Sequence, residues 1–338
     1  MLLVLRKQGL YCEAGDFFID PSGKVDRAVV THAHSDHARR GAKEYFTPKS
    51  GMALVRARLG SAICLRGFAF GEKFQLGRVS ISFHPAGHIL GSSQVRLELN
   101  GEVWVVSGDY KREPDPTCEP FESVPCDVFV TEATFGTPVY RWKKDADLGR
   151  EIFDWWETNR AHGRNSVLCA YSLGKTQRVL GLLRAFTRRP VYLDPSATPL
   201  TECYRAEGID LLPSICLSTL SDSAKLKGEL VVAPSSFLRS SLASVLGSDF
   251  ETAFASGWMA GTGEGGTGRF SSYDRGFTMS DHADWDDLVR TVVETGARRV
   301  YVQHRGHGSL VRYLRKLGLD AFPEEVLARI PPAQMSLF

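Results

Sequence analysis

Three histidines and one aspartate fall within six consecutive positions of the sequence, as His32, His34, Asp36 and His37. A cluster this polar is too dense for a core strand unless its side chains find partners. Imidazole and carboxylate groups together suit zinc or manganese, and ligands that alternate between two faces suit two ions rather than one. The segment therefore predicts a dinuclear metal site. The alternative interpretation is a polar, histidine-rich turn.

Several candidate functional residues directly follow short apolar runs that are rich in β-formers. Asp20, His32, Asp109 and Glu132 each stand just beyond such a run, and strand ends present side chains to a cleft from a rigid base. We predict strands over 79–83, 128–131 and 277–279 in this pattern. Near residue 146 the pattern changes to strands that alternate with helices, the first helix over 148–159, which predicts a separate α/β unit.

The histidines themselves indicate how the chain is organised. Eight of the nine lie toward the two ends of the sequence, and His162 alone falls in the middle unit. Because metal ligands must converge, we expect the two ends of the chain to meet in space.

The order and spacing of the ligand candidates resemble the metallo-β-lactamase superfamily. The matching residues are His32, His34, Asp36, His37, His88 and Asp109. Three later motifs resemble those of the β-CASP nucleases, the relatives of Artemis, RNase J and the pre-mRNA 3′-processing endonuclease, and they are carried by Glu132, His282 and His304. Residues 170–175 are similar to the start of the domain inserted in that family, and bacterial ligase-associated DNA exonucleases are the most similar subgroup.

This resemblance implies an α/β protein in which a metallo-β-lactamase αββα sandwich carries an inserted β-CASP α/β domain. The sandwich would comprise residues 1–147 and 273–330, and the inserted domain residues 148–272. Residues 331–338 would form a C-terminal tail.

The resemblance also implies a ligand set for two divalent ions, zinc and/or manganese. One ion would be held by His32, His34 and His88, the other by Asp36, His37 and His304, and Asp109 would bridge them. Asp20 would orient a ligand histidine from behind. Two ligands have rivals. His307 competes with His304, which is preferred because it directly follows the strand-like run 300–303, and His84 competes with His88, which has the Gly-His-x-Leu-Gly context.

Two divalent ions would supply hydroxide at neutral pH, and the resemblance implies that this hydroxide hydrolyses a phosphodiester. Asp36 would contribute to catalysis as a ligand. By the resemblance, His282 would donate a proton to the departing oxygen, with Glu132 or a neighbouring carboxylate keeping it protonated. The alternative interpretation of His282 is structural.

Charge is unevenly distributed along the chain, although the formal net charge is only +2 and by itself argues weakly against nucleic acid. Residues 38–66 contain seven basic side chains against Glu44 alone, and residues 297–319 contain six against none. Both stretches flank metal motifs and could follow a phosphate backbone. They could also be solvated helix faces.

A terminal phosphate pocket is expected at the start of a helix in the middle unit. Its residues would be Ser172, Gly174 and Lys175, with Ser235 and Ser236 as weaker candidates. A pocket that holds a 5′-phosphate predicts an exonuclease that acts in the 5′-to-3′ direction, and the resemblance implies DNA as the polymer and a DNA repair setting. The alternatives are an RNA-processing nuclease similar to RNase J, a small-molecule thioester or lactam hydrolase with the same metal motif, and a non-catalytic scaffold.

The remaining expectations concern partners and location. Gln334, Leu337 and Phe338 resemble the peptide by which bacterial repair proteins dock on the sliding clamp, although a pentapeptide could also fold back on its own domain. A DNA ligase or a helicase is a further expected partner. Seven scattered cysteines without a C-x-x-C pair, and no apolar run near the roughly 18 residues of a membrane span, favour a cytoplasmic protein.

Overall fold

The computed structural model describes residues 1–142, 147–221, 225–261, 272–303 and 307–328. These residues form a mixed α/β fold with three sheets. The chain divides into two compact units. The first contains residues 1–112, 119–138 and the described chain from His282 onward, and the second contains residues 113–118 and 139–281. The predicted domain limits at 147/148 and 272/273 remain predictions.

Two of the sheets belong to the first unit. Six strands make the first sheet, in chain order: β1 (Leu3–Arg6), β2 (Gly9–Cys12), β3 (Phe17–Ile19), β4 (Val25–Val29), β5 (Ala42–Pro48) and β6 (Leu65–Phe68). The second sheet has seven strands: β7 (Phe74–Leu76), β8 (Val79–Pro85), β9 (Ser93–Leu99), β10 (Glu102–Val106), β11 (Val128–Thr131), β18 (Arg299–Val302) and β19 (Asp320–Pro323). Its spatial order is β19-β18-β11-β10-β9-β8-β7.

The alternation of apolar residues explains how these two sheets share a core. In β10, Trp104 and Val106 enter a buried cluster that also contains residues of the first sheet, whereas Val105 lies on the opposite face. The neighbouring β11 alternates in the same way, as the two-residue period of a strand requires. Apolar area removed from water on both faces therefore fixes the register of the strands that carry candidate site residues.

Three helices accompany the sheets of the first unit: α1 (Met52–Leu59), α5 (Trp285–Glu294) and α6 (His307–Lys316). The helix α1 lies beside β6. Residues of α5 and α6, among them Leu288 and Leu310, pack on the outer face of the second sheet. The carboxylate of Asp284 accepts a hydrogen bond from the backbone N–H of Asp287 at 2.9 Å and caps the N-terminus of α5, which fixes the start of that helix three residues after His282.

The second unit is built on a parallel sheet of six strands: β12 (Asn165–Cys169), β13 (Val191–Leu193), β14 (Ser214–Cys216), β15 (Leu230–Ala233), β16 (Phe250–Ala255) and β17 (Arg275–Phe277). Their order is β14-β13-β15-β12-β16-β17, and every neighbouring pair is parallel. Its helices are α2 (Leu148–Ala161), α3 (Lys175–Leu183) and α4 (Thr198–Ala206). Fully buried strands such as β12 and β15 agree with a parallel sheet covered on both faces.

Most of the predicted elements are confirmed, and one is wrong. The strands over 79–83 and 128–131 and the helix over 148–159 are present. The strand predicted over 277–279 is observed as Arg275–Phe277, and beyond it the backbone N–H of Met279 still bonds to the carbonyl of Ser256, after β16, at 3.3 Å. Among the helices in the described ranges, each is too short or too polar to cross a lipid bilayer.

Candidate metal centre

The loop after β4 carries the densest group of predicted ligands and is folded as a compact turn. The backbone N–H groups of His37 and Ala38 donate to the carbonyl of His34 at 3.2 and 2.8 Å. The guanidinium of Arg58 in α1 donates from Nε to the carbonyl of Ala33 at 3.1 Å. These bonds hold the backbone of the loop, so that the imidazoles of His32 and His34 project from a fixed frame.

Three imidazole nitrogens and one carboxylate converge in the first unit. Nδ1 of His34 lies 3.1 Å from Nε2 of His32 and 3.0 Å from Nε2 of His88. Oδ2 of Asp109 lies 3.5 Å from Nε2 of His32 and 3.8 Å from Nε2 of His88. The sequence-predicted ligands His32, His34, His88 and Asp109 are thus brought together, with ligand atoms all within 4.8 Å of one another.

The donor set fits a metal ion better than a hydrogen-bond network. Nδ1 of His34 has one in-plane site for a proton or a lone pair, yet two imidazole nitrogens approach it. Ligands about 2.0–2.1 Å from a tetrahedral zinc ion lie about 3.3 Å from one another, close to the separations found. Imidazole with carboxylate suits zinc or manganese.

The loop that carries His88 depends on the glycine before it. Gly87 has φ +72°, and a Cβ atom there would lie 2.2 Å from the carbonyl oxygen of Lys111. The hydroxyl of Ser92 accepts hydrogen bonds from the backbone N–H groups of His88 and Ile89 at 3.0 and 3.2 Å. The Gly-His-x-Leu-Gly pattern is therefore needed by the backbone that delivers this imidazole.

A second group of predicted ligands adjoins the first across Asp109. Nε2 of His37 lies 3.4 Å from Oδ2 of Asp109 and 3.8 Å from Oδ2 of Asp36. Asp109 thus stands near imidazoles of both groups. The remaining predicted ligand, His304, lies outside the described residues, so the choice between it and His307 stays a prediction.

Asp20 holds the ligand loop from behind, through three hydrogen bonds. Its carboxylate accepts from the N–H of Thr31 at 2.8 Å, from the hydroxyl of Thr31 at 2.6 Å and from Nδ1 of His37 at 2.7 Å. The backbone of Asp20 is left-handed, with φ +45°, which aspartate tolerates better than most residues. Because Nδ1 of His37 is engaged here, Nε2 is the nitrogen left facing Asp109 and Asp36.

Thr31 is a functional residue that sequence reasoning missed. The hydroxyl of Thr31 donates its one hydrogen to Asp20, so toward Nδ1 of His32, 3.0 Å away, it can only accept. We therefore assign His32 the tautomer with its hydrogen on Nδ1. This leaves Nε2 of His32 for a metal. The available signal was the position of Thr31, between the last residue of β4 and the first histidine.

The two histidines on either side of Asp109 have opposite protonation tendencies. Complete burial, followed by the nearby imidazolium of His37, holds the pKa of His32 well below its usual range. Burial alone would also lower the pKa of His37, but the carboxylates of Asp109 and Asp20 outweigh it and hold that pKa well above its usual range. A metal ion at His37 would therefore compete with a proton.

Glu132 and His282 form a pair next to this cluster. Nδ1 of His282 lies 3.0 and 3.1 Å from the two carboxylate oxygens of Glu132, and the imidazoles of His282 and His88 are 4.7 Å apart between ring centres. Glu132 is buried and accepts a 2.7 Å hydrogen bond from the N–H of Tyr110. Oxygen and nitrogen atoms of Asp109, Glu132 and His282 lie within 4.8 Å of one another, so the pair and the ligand cluster share Asp109.

The rival ligand His84 lies outside the cluster. Its Nδ1 is 3.1 Å from a carboxylate oxygen of Glu122, and its Nε2 is 3.1 Å from the hydroxyl of Ser82. The preference for His88 over His84 as a metal ligand stays a prediction.

The predicted phosphate-binding residues lie in the second unit, after the carboxyl ends of adjacent central strands. Ser172, Gly174 and Lys175 follow β12, and Ser235 and Ser236 follow β15. Lys175 is buried, with Nζ 3.3 Å from a carboxylate oxygen of Asp281. The hydroxyl of Ser172 lies 2.7 Å from that of Ser196, and the hydroxyl of Ser235 accepts from Tyr273 at 2.7 Å. The role of this group stays a prediction.

The basic segment 38–66 consists partly of paired and partly of exposed cations. Lys43 lies 2.7 Å from Asp26, and Arg66 lies 3.2 Å from Glu44. Arg39 and Arg40, directly after the ligand loop, are exposed. The predicted clamp-binding residues Gln334, Leu337 and Phe338 lie outside the described residues.

No protein-family model matches the chain, but several known proteins are similar to it. A probable DNA ligase of Opitutus terrae is 32% identical over 317 residues, which are 93% of this chain and 30% of that protein. A ribonuclease of Thermus thermophilus is 27% identical, over 53% of this chain and 48% of the ribonuclease. An RNase J-like protein of Methanocaldococcus jannaschii is 23% identical, over 60% of this chain and 55% of that protein.

The chain thus spans between about a third and about half of the length of these relatives. A solved structure of a protein of unknown function from Enterococcus faecalis V583 has a similar fold, with a TM-score of 0.55 at 13% identity over 82% of this chain and 74% of that one. The similarity to the nucleases, together with the histidine–aspartate cluster, identifies the chain as a member of the metallo-β-lactamase/β-CASP nuclease family.

Proposed function

We propose that this protein is a metal-dependent nuclease that hydrolyses phosphodiester bonds of DNA from 5′-phosphorylated ends. The observation that carries the proposal is the position of the Glu132–His282 pair, which shares Asp109 with the cluster of His32, His34 and His88. A metal centre with a positioned acid beside it is an arrangement for breaking a bond whose leaving oxygen needs a proton.

The residues that would hold two divalent ions fall into two groups around Asp109. His32, His34 and His88 would hold one, Asp36 and His37 with His304 the other. Bound there, the ions supply hydroxide at neutral pH and offset the negative charge of the phosphate. Asp20 and Thr31 keep the tautomers of His37 and His32 that present Nε2 to this centre.

His282 would protonate the departing 3′-oxygen. Its Nδ1 is held by Glu132, so Nε2 is the nitrogen that carries a transferable proton. The carboxylate of Glu132 is itself fixed by the N–H of Tyr110 and stabilises the imidazolium. The ring of Phe135 lies edge-on to His282 at 6.0 Å between centres and limits its rotation.

The family membership supports a fold assignment for each unit. The first unit, with two packed sheets and flanking helices, would be the αββα sandwich. The second, with its parallel sheet, would be the inserted β-CASP domain. In open parallel sheets, ligands bind outside the carboxyl ends of the strands where the strand order reverses. Ser172, Lys175 and Ser235 follow such ends, which supports a terminal phosphate pocket there and hence the 5′-to-3′ direction.

Two observations bear on the choice between DNA and RNA. A protein named a probable DNA ligase is similar to 93% of this chain, and the similar segment is 30% of that protein. A DNA ligase that contains a related segment would bring end processing and joining together, which favours DNA and a role in repair. The ribonuclease and the RNase J-like protein support RNA as the second candidate.

The test is a cleavage assay with purified protein. Labelled DNA and RNA oligonucleotides, each with and without a 5′-phosphate, are incubated with zinc, manganese or magnesium. We expect metal-dependent release of nucleotides from the 5′ end of 5′-phosphorylated DNA. Preferential cleavage of RNA would favour the second candidate, and hydrolysis of thioesters or lactams without phosphodiester cleavage would overturn both.

A further inference from the structure

In the second unit, the ring of Tyr140 contacts two other aromatic side chains, Trp142 and Trp258, and the three take no part in the chemistry above. The ring of Tyr140 lies edge-on to that of Trp258, with 5.3 Å between centres and 89° between planes, and 6.5 Å from the ring of Trp142. Trp258 is 39% exposed. We call these three residues the aromatic surface.

Basic residues alternate with aromatic ones in the sequence of this region. Arg141 separates Tyr140 from Trp142 and is exposed, and Lys143 and Lys144 follow Trp142 in the sequence. Single exposed aromatic residues are common on proteins. Rings in mutual contact with interleaved cations are the composition that binds single-stranded nucleic acid, because bases stack on the rings and phosphates attract the cations.

The position of Trp258 in the fold adds a second, independent argument. It follows the carboxyl end of β16, and β16 pairs in parallel with β12. Tyr171, which follows β12 by two residues, is 58% exposed. Exposed aromatic side chains therefore lie beyond the carboxyl ends of two neighbouring strands, the edge of a parallel sheet where ligands bind.

We propose that Tyr140, Trp142 and Trp258 form a stacking surface for the unpaired bases of a DNA strand. The proposal rests on the proposed function, which supplies the class of polymer. It adds that the protein recognises single-stranded DNA through its bases and without regard to sequence, since every base has a face that can stack.

Tryptophan fluorescence gives a direct binding assay, because the other four tryptophans, Trp104, Trp155, Trp156 and Trp285, are buried. The wild-type protein, without added metal, is titrated with a single-stranded oligothymidylate and with an abasic oligomer of the same length and charge. We expect quenching by the oligothymidylate and binding of the abasic oligomer that is at least tenfold weaker. Equal affinity for the two would overturn the proposal.

Substitutions locate the binding. Trp142→Ala and Trp258→Ala should each weaken oligothymidylate binding about tenfold, whereas Trp258→Phe, which keeps a ring, should lose much less. Phe250→Ala is the matched control, because Phe250 is 37% exposed and stands at the opposite end of the strand that precedes Trp258. Unchanged affinity in the two alanine variants, or equal loss in Phe250→Ala, would overturn the proposal.

A small phosphodiester separates this proposal from the proposed function. Bis(p-nitrophenyl) phosphate has no strand to stack, so Trp142→Ala and Trp258→Ala should hydrolyse it at the wild-type rate with metal. If the wild-type protein hydrolyses no phosphodiester and still binds oligothymidylate through these rings, the proposed function fails and the stacking surface stands. If it hydrolyses DNA while the rings are dispensable for binding, the reverse holds.

Discussion

Replacing Asp20 by asparagine is the sharpest test of how the metal centre is held. The two side chains have nearly the same shape, and asparagine adopts left-handed backbone as readily as aspartate, so φ +45° is not strained by the change. The carboxylate accepts three hydrogen bonds, two from Thr31 and one from Nδ1 of His37. An amide keeps only one oxygen for these donors and carries no charge.

The size of the effect follows from the bond that is lost. Oδ2 accepts from both the hydroxyl of Thr31 and Nδ1 of His37, at 2.6 and 2.7 Å. If the amide oxygen of the new side chain stays toward the N–H of Thr31, its NH₂ group faces Nδ1–H of His37. Because two donors cannot hydrogen-bond to each other, the imidazole must turn or move its proton to Nε2. A hydrogen bond to a charged group contributes about 1.5–3 kcal/mol, which corresponds to about 10- to 150-fold in metal affinity. Losses of about 10- to 100-fold are typical when such a supporting carboxylate is removed.

Chelator competition measures this loss directly. The zinc and manganese affinities of Asp20→Asn are compared with those of wild type and of a control variant, Asp16→Asn. Asp16 has a similar left-handed backbone, with φ +52°, but its carboxylate accepts a hydrogen bond from the hydroxyl of Tyr11 at 2.8 Å. We expect loss of metal affinity in Asp20→Asn alone, and the melting temperature in the presence of excess chelator measures the separate effect of the change on the metal-free fold. Wild-type affinity in Asp20→Asn would refute the role assigned to this carboxylate.

Four further predictions follow. His282→Ala should lower turnover at least a hundredfold while metal content stays at the wild-type level; full activity on 5′-phosphorylated DNA would remove His282 from the mechanism. Lys175→Ala should weaken cleavage of 5′-phosphorylated ends more than of 5′-hydroxyl ends, and equal losses would assign Lys175 to its ion pair with Asp281. The hydrogen bond from the N–H of Thr252 holds the pKa of Asp274 below its usual value in the folded protein. This hydrogen bond therefore stabilises the fold at pH values above the unfolded pKa of about 3.9, and the stabilisation is lost as the pH falls through the lower pKa of the folded protein. The melting temperature of Asp274→Asn should therefore fall below wild type at pH 7 and approach it at pH 3. Deleting residues 334–338 should abolish clamp pull-down and spare nuclease activity; unchanged pull-down would end that idea.

The residues that sequence reasoning found are those whose types are unusual for their position. A run with three imidazoles and a carboxylate is so rare that the sequence alone predicts a site at His32 and its neighbours. The strand over 128–131 was equally visible, because it is apolar throughout and ends in Glu132. Thr31 was not visible, since threonine is common at strand ends and its role depends on Asp20 approaching from β3, eleven positions away in sequence.

The structure also changes how the predicted phosphate pocket is understood. A lysine near a helix N-terminus suggested a free ammonium group, yet Lys175 is buried beside Asp281, which also pairs with Arg178 at 3.4 Å. A sequence shows which charges exist and not which of them face each other after folding. An arriving phosphate would therefore compete with a carboxylate, and we expect any discrimination between phosphate and hydroxyl ends to be smaller than an unpaired lysine would give.

A substitution at His282 tests the proposed acid without disturbing the metal ligands, whereas a substitution at Glu132 does not. One backbone hydrogen bond explains the difference. The strands β10 and β11 run in parallel with Val106 opposite Val130, which places Asp109 and Glu132 beyond the same edge of the sheet. The residue after Asp109 is Tyr110, whose N–H donates to Glu132 at 2.7 Å. A change at Glu132 therefore disturbs the backbone that positions the shared ligand as well as the partner of His282. Truncating His282 would remove the proposed proton donor and leave that bond intact, so a loss of turnover without a loss of metal could be attributed to the acid alone.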